Sequence, residues 1–401
     1  MTASLRVEGH VDAGFEGVRD AFLANFETFG EVGASCAVYR DGTLVVDLRG
    51  GVADLGTGRP WTDRTVALVY SATKGITAVC VHLLAERGLL DLDAPVARYW
   101  PEFAAAGKAD VTVADVLSHR AGLPVVADPL GRDALLAGRP VADALARQAP
   151  LWPPRTIHAY HALTYGWLLG EIVLRTTGRT LGGLLTEEVA GPLGLRTWIG
   201  LPTREEPEVA PLIDAVADLG ALDRITDPGV RAVAGRVATA AATPTSLLAR
   251  AATTNGALPT PQASTWNDPA LHRAEIPAAN AITDARSLAR LYAACTGEVD
   301  GLRLLSPATV ERARAEQVRG PDAVTLVETR FGLGFRLATA DKPMLGEGSF
   351  GHDGAGGALG FADVQARIGF GYVQNQMVSS PTGDPRTGAL LSALRDALAT
   401  V

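Results

Sequence analysis

The sequence predicts an α/β (α+β) fold: an antiparallel sheet flanked by helices, formed from both chain termini, with an inserted mostly helical domain. Three observations carry this expectation. Strand and hairpin signals cluster near the two ends of the 401-residue chain. Each end also carries an amphipathic helical pattern, and helical patterning fills most of residues 76–285. The expected organisation is a sheet domain of residues 1–75 and 286–401 and a helical domain of residues 76–285.

Residues 12–29 place Phe15, Val18, Phe22 and Phe26 at helical spacing, and Gly30 is the expected stop. Residues 34–39 and 44–48 read as strands joined by the turn Arg40-Asp41-Gly42-Thr43, a hairpin signal. From Ser71 onward, Ile76, Val79, Leu83 and Leu84 form a buried helical stripe. The helical pattern over 163–173 makes Tyr165 a core residue. Residues 206–262 are rich in Ala, Pro and Thr and poor in aromatics, and two readings stay open for them, a mobile flap and irregular surface. Phe331-Gly332-Leu333-Gly334-Phe335 alternates apolar residues with glycine and predicts a short strand. Residues 359–364 and 368–373 read as a strand pair flanking Gln365-Ala366-Arg367. Residues 384–398 are helical, with Leu390, Leu391, Leu394 and Leu398 on one face.

Composition narrows the function classes. A hydrophobic fraction of 47% with 20% charged residues describes a globular chain able to bury a core without staples. The net charge of −8, with no cluster of basic residues, argues against nucleic-acid binding. Cys36, Cys80 and Cys295 make neither a C-x-x-C pair nor zinc spacing and are expected to be buried thiols. The start, Met1-Thr2-Ala3-Ser4-Leu5-Arg6, has no basic region followed by an apolar one, and no stretch is long and apolar enough to span a membrane. The expectation is a soluble, cytoplasmic protein with no membrane partner.

The chemistry points to Ser71-Ala72-Thr73-Lys74, an S-x-x-K motif. A serine hydroxyl becomes a nucleophile when a neighbouring base takes its proton. Three residues is about one helical turn, so Ser71 and Lys74 share a face. The competing structural reading is an N-capping serine with a surface lysine. No Gly-x-Ser-x-Gly surrounds any serine, and no Gly-x-Gly-x-x-Gly follows a strand in a βαβ context. His158 and His161 lack a nearby carboxylate ligand, so neither a metal nor another cofactor is expected.

Four segments in order resemble the penicillin-binding-protein-like serine hydrolases, and within them the family VIII-type carboxylesterases related to class C β-lactamases. They are the Ser71–Lys74 motif with Thr77-Ala78, the stretch Leu117-Ser118-His119-Arg120-Ala121-Gly122-Leu123, the segment Tyr160-His161-Ala162-Leu163-Thr164-Tyr165-Gly166-Trp167, and Gly351-His352-Asp353-Gly354-Ala355-Gly356-Gly357. The resemblance covers most of the chain and implies a β-lactamase/transpeptidase-like fold. It implies that Ser71 is the nucleophile, Lys74 its proton partner and Tyr160 the second-motif tyrosine. It leaves the base open between Lys74 and Tyr160, and a Lys74 ammonium would favour the Tyr160 phenolate. The backbone N–H groups of Ser71 and Ala355 are the implied oxyanion hole. His352, Asp353 and Gly354 line the substrate, and His119 packs near the first motif.

Two departures matter. Ala162 stands where β-lactamases and peptidases have asparagine, and His352 replaces the lysine of the third motif. Both losses weaken the β-lactamase and peptidase readings. The apolar flanks and the lack of charged carboxylate anchors favour small, uncharged, short-chain acyl esters. The expected activity is therefore that of a serine carboxylesterase on a small-molecule ester. The alternatives are an acyltransferase with an alcohol acceptor, a weak β-lactamase, and a catalytically silent binder of peptidoglycan fragments or a protein.

Overall fold

The two ends of the chain meet in one large sheet. In chain order the strands are β1 (Val7–Val11), β2 (Gly33–Arg40), β3 (Thr43–Asp54), β4 (Arg59–Pro60), β5 (Ala67–Leu68), β6 (Thr197–Trp198), β7 (Ile282–Thr283), β8 (Val318–Pro321), β9 (Glu328–Phe331), β10 (Arg336–Leu337), β11 (Ser349–Asp353), β12 (Leu359–Asp363) and β13 (Ile368–Gln374). The main sheet runs β1-β3-β2-β13-β12-β11-β10-β9-β8, antiparallel throughout, and β4 pairs with the end of β3. β5, β7 and β6 form a second, three-stranded sheet. This computed structural model describes residues 6–215, 223, 225–258, 263–340, 342, 344–378 and 383–400. Residues 1–5 of the N-terminal reading and residues 216–222, 224 and 259–262 of the expected flap lie outside the described residues.

Period-two alternation gives the sheet two cores. On β2, Ala34, Cys36 and Val38 face the terminal helices Glu16–Thr28 and Pro385–Leu398, with Phe22, Leu390 and Leu394. Ala37 and Tyr39 face the opposite core, which includes the helices Thr73–Glu86 and Ala285–Thr296. The amphipathic patterns read at 12–29 and 384–398 are thus the two helices that cover one face. Asp384 caps the second, accepting a hydrogen bond from the Arg386 N–H at 2.9 Å. All three cysteines are buried and free. Among the described residues, no helix is long and apolar enough to cross a membrane.

Three expectations are corrected. Residues 331–335 are not a strand: β9 ends at Phe331, and the Gly332–Phe335 stretch turns back into β10. Phe331, Leu333 and Phe335 are buried as the alternation implied, but Gly334 at φ +88° supports a turn. β1 carried no recognised signal: it is a five-residue edge strand with Gly9 and His10 exposed and the rest half-buried. In the described part of 206–262 the irregular-surface reading gives way to helix, at Pro228–Ala242 and Leu247–Thr253.

Candidate active site

Ser71 sits in a single 3-10 turn, Tyr70–Ala72, that runs directly into the helix Thr73–Glu86. The turn is strained: Tyr70 has φ +43°, a conformation a tyrosine rarely adopts. Its ring is held edge-on to Trp266 with centroids 5.3 Å apart. The Val69 N–H donates to the Ala281 carbonyl at 2.9 Å, tying the turn to the segment before β7. The helix that follows is buried from Thr73 to Leu84, more completely than a one-sided stripe implies.

Lys74 is fully buried and lies across from Ser71. Its Nζ is 3.1 Å from Ser71 Oγ, and it donates to the carbonyls of Ala162 at 2.8 Å and Ala278 at 2.9 Å. Position 162 therefore serves the site through its backbone, which an alanine supplies as well as an asparagine. Burial holds the Lys74 ammonium well below the usual lysine range; Asp353 opposes this and Arg336 adds to it. Lys74 Nζ thus meets two backbone carbonyls and the Ser71 hydroxyl, and burial favours its neutral form.

Tyr160 packs in the same place. Its ring lies 4.6 Å from Lys74 Nζ, centroid to atom, and 4.9 Å from the His119 ring. Burial raises its phenol, and a hydrogen bond with Ser71 offsets only part of that. Burial therefore opposes the phenolate that a Lys74 ammonium would favour. His352 stands at the end of β11, with Nδ1–H donating to the Asp353 carbonyl at 2.7 Å and Nε2 facing the Tyr160 hydroxyl at 3.5 Å. Burial pushes the imidazole down to about 3, so it is neutral near pH 7 and its Nε2 lone pair accepts from Tyr160.

The remaining histidines are structural. His119 accepts the His161 N–H at Nδ1, 3.2 Å away, and its ring contacts Tyr160, Tyr165 and Phe331. His161 uses both ring nitrogens, toward the Ala159 carbonyl at 2.6 Å and the Leu123 N–H at 3.1 Å. His158 faces Thr329 Oγ1 at 2.9 Å. Tyr165 is buried, as expected of a core residue.

Gly354 follows β11 and closes the site against the Ser71 turn. A Cβ at this position would lie 2.1 Å from the Val69 carbonyl oxygen. Gly354→Ala is therefore expected to destabilise the fold by about 1–3 kcal/mol, read as a lower denaturation midpoint at unchanged slope. The neighbouring Ala355 is exposed, and among the described residues neither its N–H nor that of Ser71 has a protein acceptor.

These groups open onto a cavity of about 910 Å³. Ser71, Tyr160, His352, Asp353, Gly354 and Ala355 all line it. A beta-lactamase family model matches residues 22–395, nearly the whole chain. The chain belongs to the beta-lactamase family. It is 37% identical over 387 residues to the esterase/beta-lactamase LipL of Mycobacterium tuberculosis, covering 94% of this chain and 85% of that protein. The crystal structure of a family VIII carboxylesterase superposes with a TM-score of 0.84 at 38% identity, covering 97% of this chain and 98% of the other. EstA from Arthrobacter nitroguajacolicus Rue61a gives the same TM-score of 0.84 at 33% identity, with 97% and 98% coverage.

This beta-lactamase-family cavity also holds residues that no motif flagged. Arg336 and Lys342 line it, and both pair with Asp353, Arg336 at 3.2 Å. The expected lack of charged carboxylate anchors is thus qualified by two cations in the cavity, which already share the Asp353 carboxylate. Their paired cations hold the Asp353 carboxyl far below the usual range against the effect of burial. The register of the sheet places Arg336 there: β10 pairs Arg336 with Gly351, which sets its side chain diagonal to Asp353 on one face. Asp214, Met377 and Leu391 reach the cavity from segments far apart in sequence.

Proposed function

We propose that this protein is a serine carboxylesterase that hydrolyses small, short-chain acyl esters through a Ser71 acyl-enzyme. The carrying observation is the Lys74 amine held by two backbone carbonyls with its remaining side 3.1 Å from Ser71 Oγ. That arrangement makes Lys74 the base. Ser71 Oγ bonds to the acyl carbon as its proton passes to Lys74 Nζ. The oxyanion is met by the N–H groups of Ser71 and Ala355. The carbon–alkoxide bond then breaks, Tyr160 gives its proton to the leaving alcohol, and the Lys74 ammonium restores it. Water repeats the sequence on the acyl-enzyme and frees the acid. His352 orients the phenol throughout, and Asp353 and Gly354 shape the substrate strand.

The names of the relatives support the same reading: LipL is called an esterase/beta-lactamase, and two superposing structures are a family VIII carboxylesterase and EstA. In this reading residues 1–75 and 286–401 form the sheet domain, 76–285 the helical domain and 206–262 a flap, of which Asp214 and Ala215 line the cavity. The buried, unpaired thiols suit a reducing cytoplasm. The double name of LipL also favours a second, weaker activity, opening of a β-lactam ring by the same serine.

The direct test is a fluorophosphonate label followed by peptide mass spectrometry, beside p-nitrophenyl butyrate and nitrocefin turnover. The expected result is a label on Ser71 alone, faster butyrate than nitrocefin turnover, and loss of both with labelling. A label on another serine, or turnover that survives complete Ser71 labelling, overturns the reading.

A further inference from the structure

Behind the candidate site, the C-terminal helix begins with an arginine whose every donor is used. Arg386 is fully buried. Its Nε donates to Asp384 Oδ1 at 3.0 Å, and its Nη1 to Glu31 Oε1 at 3.0 Å and the Gln376 carbonyl at 2.9 Å. Its Nη2 donates to Asp384 Oδ2 at 2.7 Å and to the Gly356 carbonyl at 2.8 Å. Five N–H donors thus meet five acceptors, which a lysine with three donors at one point cannot reproduce. Two ion pairs suffice to keep the charge buried. The bond to Gly356 is separate from them and reaches the loop that follows β11.

That loop is closed by the Gly354 N–H, which donates to the Ala358 carbonyl at 2.7 Å, and three donors converge on one of its carbonyls. The Gly356 carbonyl accepts not only from Arg386 but also from Gln374 Nε2 at 2.8 Å and the Val378 N–H at 3.1 Å. The other end of the same peptide, the Gly357 N–H, donates to the Gly354 carbonyl at 3.2 Å. The Gly354 carbonyl and the Ala355 N–H belong to one planar peptide unit. Gly357 has no room for a side chain: a Cβ would come 2.0 Å from Asp384 Oδ2 and 2.6 Å from Arg386 Nη2. A continuous line of bonds therefore runs from the guanidinium through the 356–357 peptide to the peptide that carries the Ala355 N–H.

We infer that Arg386 is a positioning residue: through the Gly356–Gly357 peptide it aims the Ala355 N–H at the acyl oxygen. The inference rests on the reading of Ala355 as an oxyanion donor. An oxyanion is met more closely than the ground-state carbonyl, so a misaimed donor lowers kcat more than it raises KM.

The test compares Arg386→Lys and Gln374→Leu with the wild type in p-nitrophenyl butyrate hydrolysis, thermal melting and binding of phenylboronic acid, which forms a tetrahedral adduct on a nucleophilic serine. Gln374→Leu removes one donor from Gly356 and leaves both ion pairs of Arg386 in place, so it serves if Arg386→Lys does not fold. Both variants are expected to lose about 10- to 100-fold in kcat, to keep KM within about twofold, and to lose boronate affinity in parallel. Folded variants with lower melting temperatures but wild-type kcat and boronate affinity overturn the inference, as does a rise confined to KM. Ser71→Ala, run alongside, separates the two levels: turnover retained there overturns the esterase reading itself, whereas turnover lost there with wild-type kcat in folded Arg386→Lys overturns only the role of Arg386.

Discussion

Ser71→Ala is expected to lower kcat for p-nitrophenyl butyrate by a factor on the order of 10⁴ to 10⁶, leaving KM and the melting temperature near the wild-type values. The large effect follows from the geometry. In the proposed mechanism Ser71 Oγ is the nucleophile beside Lys74 Nζ, and the second hydroxyl nearby belongs to Tyr160, whose phenol burial raises. Among the described residues, Ser71 has the hydroxyl that meets Lys74 Nζ. The small stability effect follows because Ser71 is only half-buried and its hydroxyl is not part of the core. Steady-state kinetics and a thermal melt on purified variant and wild type decide this. Turnover within tenfold of wild type would mean that another group attacks the ester.

Lys74→Met is expected to cost about 10² to 10⁴ in kcat and to change the pH profile. In the wild type, kcat/KM rises with pH as Lys74 loses its proton and levels off well below the range in which free lysine titrates, because burial depresses the ammonium. His352, held near 3, is already neutral there and contributes no limb near pH 7. The variant keeps its residual rate but loses that ascending limb. Stability follows the same proton. The unfolded chain binds it up to the ordinary lysine value of 10.5 and the folded chain releases it earlier, so unfolding is favoured least at high pH. Wild-type stability therefore rises with pH across that interval, and in Lys74→Met this slope disappears. A denaturant series at several pH values measures it. An ascending limb that persists unchanged in the variant would assign the titrating base elsewhere.

Much of the site was legible because its chemistry is local. Ser71 and Lys74 are one turn apart, and Tyr160 and His352 sit in segments whose order and character resemble a known family. The sheet was legible for a similar reason: the hairpin 33–54 and the pair β12–β13 are each contiguous, with a short turn between strands. The reading failed where one pattern has two solutions. Phe331-Gly332-Leu333-Gly334-Phe335 buries alternate residues, as a strand does, yet glycine lets the backbone turn while the same side chains remain buried. It failed again over Arg336 and Lys342, whose meeting with Asp353 depends on neighbouring segments of the fold and on no motif.

By itself, then, the sequence determined the residue types, the order of the motifs and the periodicities: a sheet built from both ends, helices on its faces, and a serine, a lysine, a tyrosine and a histidine available for acyl chemistry. The tertiary structure decided how those groups are charged and aimed. Burial lowers the Lys74 ammonium and raises the Tyr160 phenol because both are enclosed, and burial is a property of everything packed around a group. The loop at Ala355 is held by Arg386 because the start of the C-terminal helix is brought against the end of β11. Such contacts join residues tens to hundreds of positions apart, and a one-dimensional pattern carries no record of distance in space.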